Sequence, residues 1–487
     1  MLQCLRIPFI GLVFLSMFLL LYVFLSADRI LDGTKLSRDF KTLPYSITMQ
    51  YIVAYAANTQ TYTCETFSVN FPKSIYNSTL YGWKSPVNEP VFIFSAFFDN
   101  RYRYTNQQVR LIGMIQGDFK KSLYCQLWYK NISLPIVVVS EMREMWLDIW
   151  NKADHSQFYR PYLINCPVPQ DDPVLSSQTP QGVSLSLRPC TNSSIFFKLD
   201  VPPRNVTKHK FAICVKSLDF QNDVSFRLIE WLELQFLLGV DELTIYLFNV
   251  HPNTYKVLLY YEQLGKVVII PITLPGYLPN TPLERTRFLH ENIWQKRRHE
   301  LIPYNDCFYR HIYTHEFVVL LDLDEVIIPV HHKTWTRMLR QVFKEKTQAI
   351  MKYSSFAVPN VYFFDDFGPS NTNRGVPSYM HILRFLHRSE HFTKPGFAVK
   401  SFISTNNTLA VFNHYALFPL YPHTARTMLL NESEVRLHHY RSKCPSGMAD
   451  DCLENFMKYR RKDTLILKYQ KELLMKAGRV IRELSLR

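Results

Sequence analysis

Apolar and polar positions along this chain change rhythm three times. The first stretch, 7–26, is apolar apart from Ser16 and Ser26. About 20 such residues can cross a bilayer as one helix, and the run is longer than the apolar core of a cleaved signal peptide, so it predicts an uncleaved anchor behind a cytoplasmic tail at 1–6. A polar, irregular stem follows at 27–88. Short aromatic and β-branched runs at 90–98, 109–115 and 134–139 then predict a small β-rich accessory domain over 89–165. Seven prolines between Cys166 and Arg204, with several serines, read as a linker over 166–208.

Beyond the linker the rhythm alternates. A strand at 211–215, an amphipathic helix at 226–238 closed by Gly239, a strand at 242–248, a helix at 253–263 ending near Gly265 and a strand at 266–271 make β-α-β-α-β. A helix at 285–301 precedes a fourth strand at 317–329. Such alternation predicts an α/β catalytic domain over 209–452 with a mostly parallel sheet and right-handed crossovers. A helix at 335–346 and strands at 357–364, 402–412 and 435–441 complete it. In 453–487, apolar residues recur at loosely helical spacing among ten Lys/Arg and four Asp/Glu, predicting a basic amphipathic C-terminal helix.

Composition adds an address. The chain has 487 residues, 47% of them hydrophobic, and a formal charge of +15. Asn-x-Ser/Thr acceptors begin at Asn77, Asn131, Asn192, Asn205, Asn406 and Asn431, all beyond the anchor. They predict a lumenal chain of single-pass type II topology, although the charges flanking the anchor do not by themselves orient it, and the combination of anchor, stem and basic C-terminal domain matches a Golgi membrane resident. Nine cysteines leave eight beyond Cys4, an even number that fits up to four disulfides, and none forms a Cys-x-x-Cys zinc pattern. A lumenal address excludes nucleic acid as the partner of the basic charge.

The fourth strand is an apolar run that ends in Asp322, Asp324 and Glu325. Carboxylates at the end of a buried strand point to a divalent cation or the polar part of a substrate. A phosphatase of the haloacid dehalogenase type also carries Asp-x-Asp after a strand. That motif opens its domain, however, and the Gly-Asp element expected further along occurs here only at Gly117-Asp118, upstream. A nucleotide-sugar transferase fits better, because two or three carboxylate oxygens can hold a metal against a diphosphate leaving group. A membrane-tethered lectin on the same fold, with the carboxylates binding calcium, is the alternative from another class.

Residues 210–452 resemble glycosyltransferase family 92 in an ordered series: 213–217 (Ile-Cys-Val-Lys-Ser), 227–235, 238–242, 249–252, Asn305-Asp306-Cys307, 322–325 (Asp-Leu-Asp-Glu) and 438–441 (His-His-Tyr-Arg). The likeness runs to the avian β1,4-galactosyltransferases of that family, which extend terminal galactose. The resemblance implies a GT-A fold, UDP-galactose as donor, a glycoprotein or glycolipid glycan as acceptor, Mn2+ and inversion at the anomeric carbon. A homodimer is compatible with it.

On that footing Asp324 is the first metal ligand, with Asp322 on the ribose or on the metal, and one of His438 and His439 completes the shell. A strand would point those two histidines to opposite faces, and His414 stands in reserve. Lys216, Asp219, Asn305 and Asp306 are the expected nucleotide or sugar contacts. Inversion needs a base at the acceptor hydroxyl, for which Asp365, Asp366 and Glu390 are the candidates. Trp335, Tyr362, Phe363 and Phe364 are candidate sugar-stacking rings.

Overall fold

The computed structural model describes residues 61–62, 64, 82–86 and 89–486, except 102–106, 131, 149, 152–154, 171–174, 176–177, 201–206, 347, 371–374 and 445–451. The anchor expected at 7–26 and the acceptors Asn77, Asn131 and Asn205 lie outside the described residues. Among the described residues no helix is long and apolar enough to cross a membrane. Asn192, Asn406 and Asn431 are all exposed.

From residue 209 the chain forms β1 (His209–Phe220), α1 (Ser225–Leu238), β2 (Glu242–Val250), α2 (Pro252–Gln263) and β3 (Val267–Pro271). Gly239 closes α1 in the left-handed region at φ 96°, where its N–H meets the carbonyls of Gln235 and Phe236. Three helices follow, α3 (Pro282–Glu291), α4 (Ile293–His299) and α5 (Leu301–His311), where periodicity predicts one at 285–301. Then come β4 (His315–Leu320), β5 (Glu325–Pro329), α6 (Trp335–Glu345), β6 (Tyr353–Val358), β7 (Asn360–Phe364), β8 (Lys400–Ser404), β9 (Ala425–Leu429), β10 (Val435–Arg441) and α7 (Gln470–Glu483).

The main sheet has the order β3-β2-β1-β4-β8-β6-β9. Its first four strands are parallel, as the βαβ rhythm predicts. The expectation of a mostly parallel sheet needs correction beyond them. β8 runs antiparallel to both β4 and β6, so the sheet is mixed. The apolar run at 317–329 is likewise two strands in two sheets. The chain leaves the main sheet after β4, turns through the acidic residues, and re-enters as β5 in a three-stranded sheet of order β5-β10-β7. Three carboxylates cannot continue as the buried centre of a strand without partners, and the turn puts them at a cavity instead.

Alternation explains the continuous hydrophobicity of the central strands. Phe211, Ile213, Val215, Phe317 and Val319 face a core filled by α1, α6 and α7. Ala212, Cys214, Val318 and Leu320 face the opposite one. α7 places Leu473, Ala477 and Val480 in the first core, so the apolar stripe of the basic tail is spent inside the fold.

The second core is covered partly by α5 and partly by the N-terminal unit, which contributes Phe94, Ile112, Met114, Trp146 and Tyr159. That unit is two antiparallel sheets, one of four strands and one of five, joined by Cys125–Cys166. Two strands within the segment read as a linker at 166–208 belong to it. Gly182–Ser186 pairs with Tyr124–Trp128, and Phe197–Lys198 pairs with Gly182–Ser186. Among the segment's described prolines, Pro167 ends a strand and Pro169, Pro180 and Pro189 lie between strands. Cys64–Cys190, Cys214–Cys307 and Cys444–Cys452 complete four disulfides among the eight cysteines beyond Cys4.

Candidate functional site

The sheet order 3-2-1-4 places a topological switch between β1 and β4, where open α/β sheets bind ligands beyond the carboxyl ends of their strands. A cavity of about 970 Å³ opens there. Lys216 reaches it from the C-terminal half of β1, and the turn after β4 carries Asp322, Leu323 and Asp324 into its wall.

The turn is built by its own residues. The Glu325 N–H donates to the Asp322 carbonyl at 3.1 Å, and the Asp322 N–H donates to Glu325 Oε2 at 3.0 Å. From α1, Trp231 Nε1 donates to the Glu325 carbonyl at 2.8 Å, and the Tyr440 N–H donates to the Asp324 carbonyl at 2.7 Å. Both acidic side chains therefore reach one cavity through a pinned turn, not through the period-two spacing of a strand.

Charges alternate across the floor. Lys216 Nζ lies 3.1 Å from Asp322 Oδ1 and 3.4 Å from Glu300 Oε1, and Arg297 lies 3.1 Å from Glu300 Oε2. On the other side Lys400 lies 3.3 Å from Asp322 Oδ2 and 3.1 Å from Glu325 Oε2. Burial opposes ionisation of Asp322, but Lys216 and Lys400 outweigh it and hold its carboxyl well below the usual carboxylate range. For Glu325 burial wins over Lys400 and its carboxyl is pushed up. Glu300 stays low despite burial because Lys216 and Arg297 flank it.

Asp324 differs. Its side chain is 45% exposed and lies 3.5 Å from His439 Nε2, while His439 Nδ1 lies 3.6 Å from Glu325 Oε1. Burial raises the Asp324 carboxyl, and the contact with His439 more than reverses it. Among the described residues no group of three or more His, Cys, Asp or Glu side chains is placed to hold a metal ion. Asp324 and His439 nonetheless make a carboxylate–imidazole pair at the cavity, a donor set that suits a manganese-like ion sharing its shell with substrate oxygens.

The other expected site residues fall into three groups. Asp322 is clasped between two lysines, which argues against direct metal ligation. His438 faces away from the cavity; it is fully buried against Phe363 and Tyr440, and burial pushes its imidazole down to about 4. Asp219 does line the cavity, held by Arg285 at 3.0 Å and by the Thr286 hydroxyl at 3.0 Å. His414 lines it too, with Nδ1 at 2.8 Å from the Val399 carbonyl, and burial pushes its imidazole down to about 3.

Asn305 and Asp306 do not reach the cavity. They are buried inside α5, where Asn305 clips the backbone of Val411 through two hydrogen bonds and Asp306 accepts from Tyr246 and Arg310. None of the three base candidates lines it either. Asp366 and Glu390 are exposed elsewhere. Asp365 accepts from His381 Nε2 at 2.8 Å and lies 3.9 Å from Arg227, itself a lining residue. Of the four rings singled out, Tyr362 lines the cavity, whereas Trp335, Phe363 and Phe364 are core.

Sequence reasoning missed Lys400, Glu300, Arg297 and Arg441. Lys400 begins β8, and nothing local marks it; its pairing with Asp322 spans 78 residues. Arg441 stood in a quoted motif, two residues from His439 on the same strand face, and that period could have found it.

A relative in Caenorhabditis elegans, a protein described as beta-1,4-galactosyltransferase galt-1, is 23% identical over 278 residues, or 54% of this chain and 57% of that protein. The chain thus spans a little over half the length of this curated relative. Residues 209–476, from β1 into α7, match the family model for glycosyltransferase family 92. With more than half its length under that model, and the acidic turn, Lys216 and His439 meeting at one cavity inside the matched region, this chain belongs to glycosyltransferase family 92.

Proposed function

We propose that this protein transfers galactose from UDP-galactose to a terminal galactose of a glycan, forming a β1,4 linkage with inversion, in the Golgi lumen. The observation that carries the reading is the pairing of Asp324 with His439 at a cavity whose lining also includes the cations Lys216, Lys296, Arg297 and Arg441. Such a wall suits a nucleoside diphosphate, whose charge must be matched before the sugar can leave. The exposed acceptors Asn192, Asn406 and Asn431 and the four disulfides support a lumenal address.

Within this reading Asp324 and His439 would hold a divalent ion such as Mn2+. When bound, that ion supplies charge neutralisation of the diphosphate leaving group. The protein's own groups do the rest. Lys216 is kept charged by Asp322 and Glu300 and presents a fixed ammonium to the cavity. Asp322, tied at both oxygens, positions Lys216 and Lys400 and cannot swing. Of the base candidates, Asp365 stands nearest, one side chain removed from the cavity through Arg227.

The test is donor consumption by the purified chain with Mn2+ and a panel of UDP-sugars. UDP-galactose should be consumed and its sugar transferred to methyl β-galactoside, with Asp324→Ala lowering turnover about 1,000-fold while the fold persists. Glycan binding without consumption of any donor would favour the lectin reading instead.

A further inference from the structure

Two groups of residues that line the cavity come from different parts of the chain. Asp219, Phe248 and Thr286 come from β1, β2 and α3, on the side of the parallel strands where a nucleotide belongs. Phe397, Ala398, His414 and Tyr415 come from the segments on either side of β8, and Trp150 joins them. Trp150 comes from the N-terminal unit, more than 50 residues before β1.

Trp150 is placed with care. Its N–H donates to the Leu147 carbonyl at 3.0 Å, and its indole donates a hydrogen bond to the Tyr415 hydroxyl. The ring stacks on His414, centroids 5.7 Å apart at 21°, and meets the Phe412 ring edge-on at 5.2 Å. Nearby, Trp146 Nε1 donates to the Asn151 carbonyl at 3.3 Å, and Arg298 of α4 lies over Trp146 and donates to Asn151 Oδ1 at 3.2 Å. The segment is thereby fastened to the catalytic unit on both sides of the tryptophan. Ala398, also in the lining, sits at φ 51°, left-handed backbone that a non-glycine residue keeps only where its surroundings impose it. His414 Nδ1 lies 2.8 Å from the carbonyl of Val399, the neighbour of Lys400, which in turn pairs with Asp322 and Glu325.

We propose that Trp150, backed by His414 and Tyr415, is the platform for the acceptor sugar, so that the N-terminal unit supplies part of the acceptor subsite. The ligand class is a terminal hexopyranose with one face of C–H bonds, which an indole ring covers while Tyr415 and the backbone at 396–398 address its hydroxyls. This rests on the transferase reading above.

The experiment measures initial rates with UDP-galactose and methyl β-galactoside, each varied in turn. Trp150→Ala should raise the acceptor KM about tenfold or more while the donor KM moves by less than about twofold. Trp150→Phe, which keeps a ring, should raise the acceptor KM only about threefold, and it carries the test alone if the alanine variant does not fold. An acceptor KM unchanged in both folded variants overturns the platform, as does an equal rise in the KM of donor and acceptor. A wild-type chain that consumes no UDP-sugar overturns the transferase reading and this inference with it. Wild-type transfer with an indifferent Trp150 removes the platform alone.

Discussion

The two halves of the main sheet do different work. β3, β2, β1 and β4 are parallel, joined by helical crossovers, and stapled to α5 by Cys214–Cys307; they supply a scaffold and the fixed cation Lys216. The half beginning at β8, with the small β5-β10-β7 sheet beside it, is assembled from distant segments and supplies Lys400, Tyr362, His439 and Arg441. Regular local structure holds the site in place, while long-range pairing brings its reactive groups to it.

That division can be broken by substitution. The largest expected effect is on the scaffold. Cys307→Ser opens a staple spanning 93 residues and should cost about 4 kcal/mol in denaturant unfolding while the folded fraction keeps its turnover. Lys400→Met leaves Asp322 and the buried Glu325 without their shared cation and should cost about 3 kcal/mol, with turnover lost as well. His439→Ala should lower kcat/KM about 100-fold, with the thermal midpoint nearly unmoved. If Cys307→Ser abolished turnover in the folded fraction, or His439→Ala unfolded the chain, the halves would not divide as described.

Acidification sharpens the picture. Burial pushes His311 and His414 down to about 3 and His299 and His315 down to about 4, all below free imidazole. A folded value below the unfolded one means that the stability contribution is complete above about pH 6.5 and is lost as pH falls toward 4. The thermal midpoint should therefore drop between pH 6.5 and 5, which differential scanning would show; a flat midpoint contradicts it. The smallest effect is expected at His438, whose ring nitrogens have no hydrogen-bond partner among the described residues. His438→Leu should change stability by about 1 kcal/mol or less, in contrast to the loss of function next door.

The parallel half was legible because its information is local. Apolar periodicity, Gly239 and the crossover lengths sit within a few dozen residues. The acidic turn was legible as chemistry but not as shape, since an apolar run cannot show where a chain changes sheets. Asn305 and Asp306 were misassigned because a polar pair inside a helix looks the same whether it meets a ligand or a backbone; here Asn305 meets Val411, 106 residues on. Lys400 had no local mark at all.

The likeness to known glycosyltransferases begins at residue 209, but the physical unit begins earlier. A fragment cut at that point would keep every ion pair of the acidic turn and still leave Ala212, Cys214, Tyr246 and Ile270 on a sheet face that has lost Phe94, Met114 and Trp146. The border that ancestry draws through this chain cuts across a single hydrophobic core, and a fragment begun at that border is expected to expose an apolar sheet face and to aggregate.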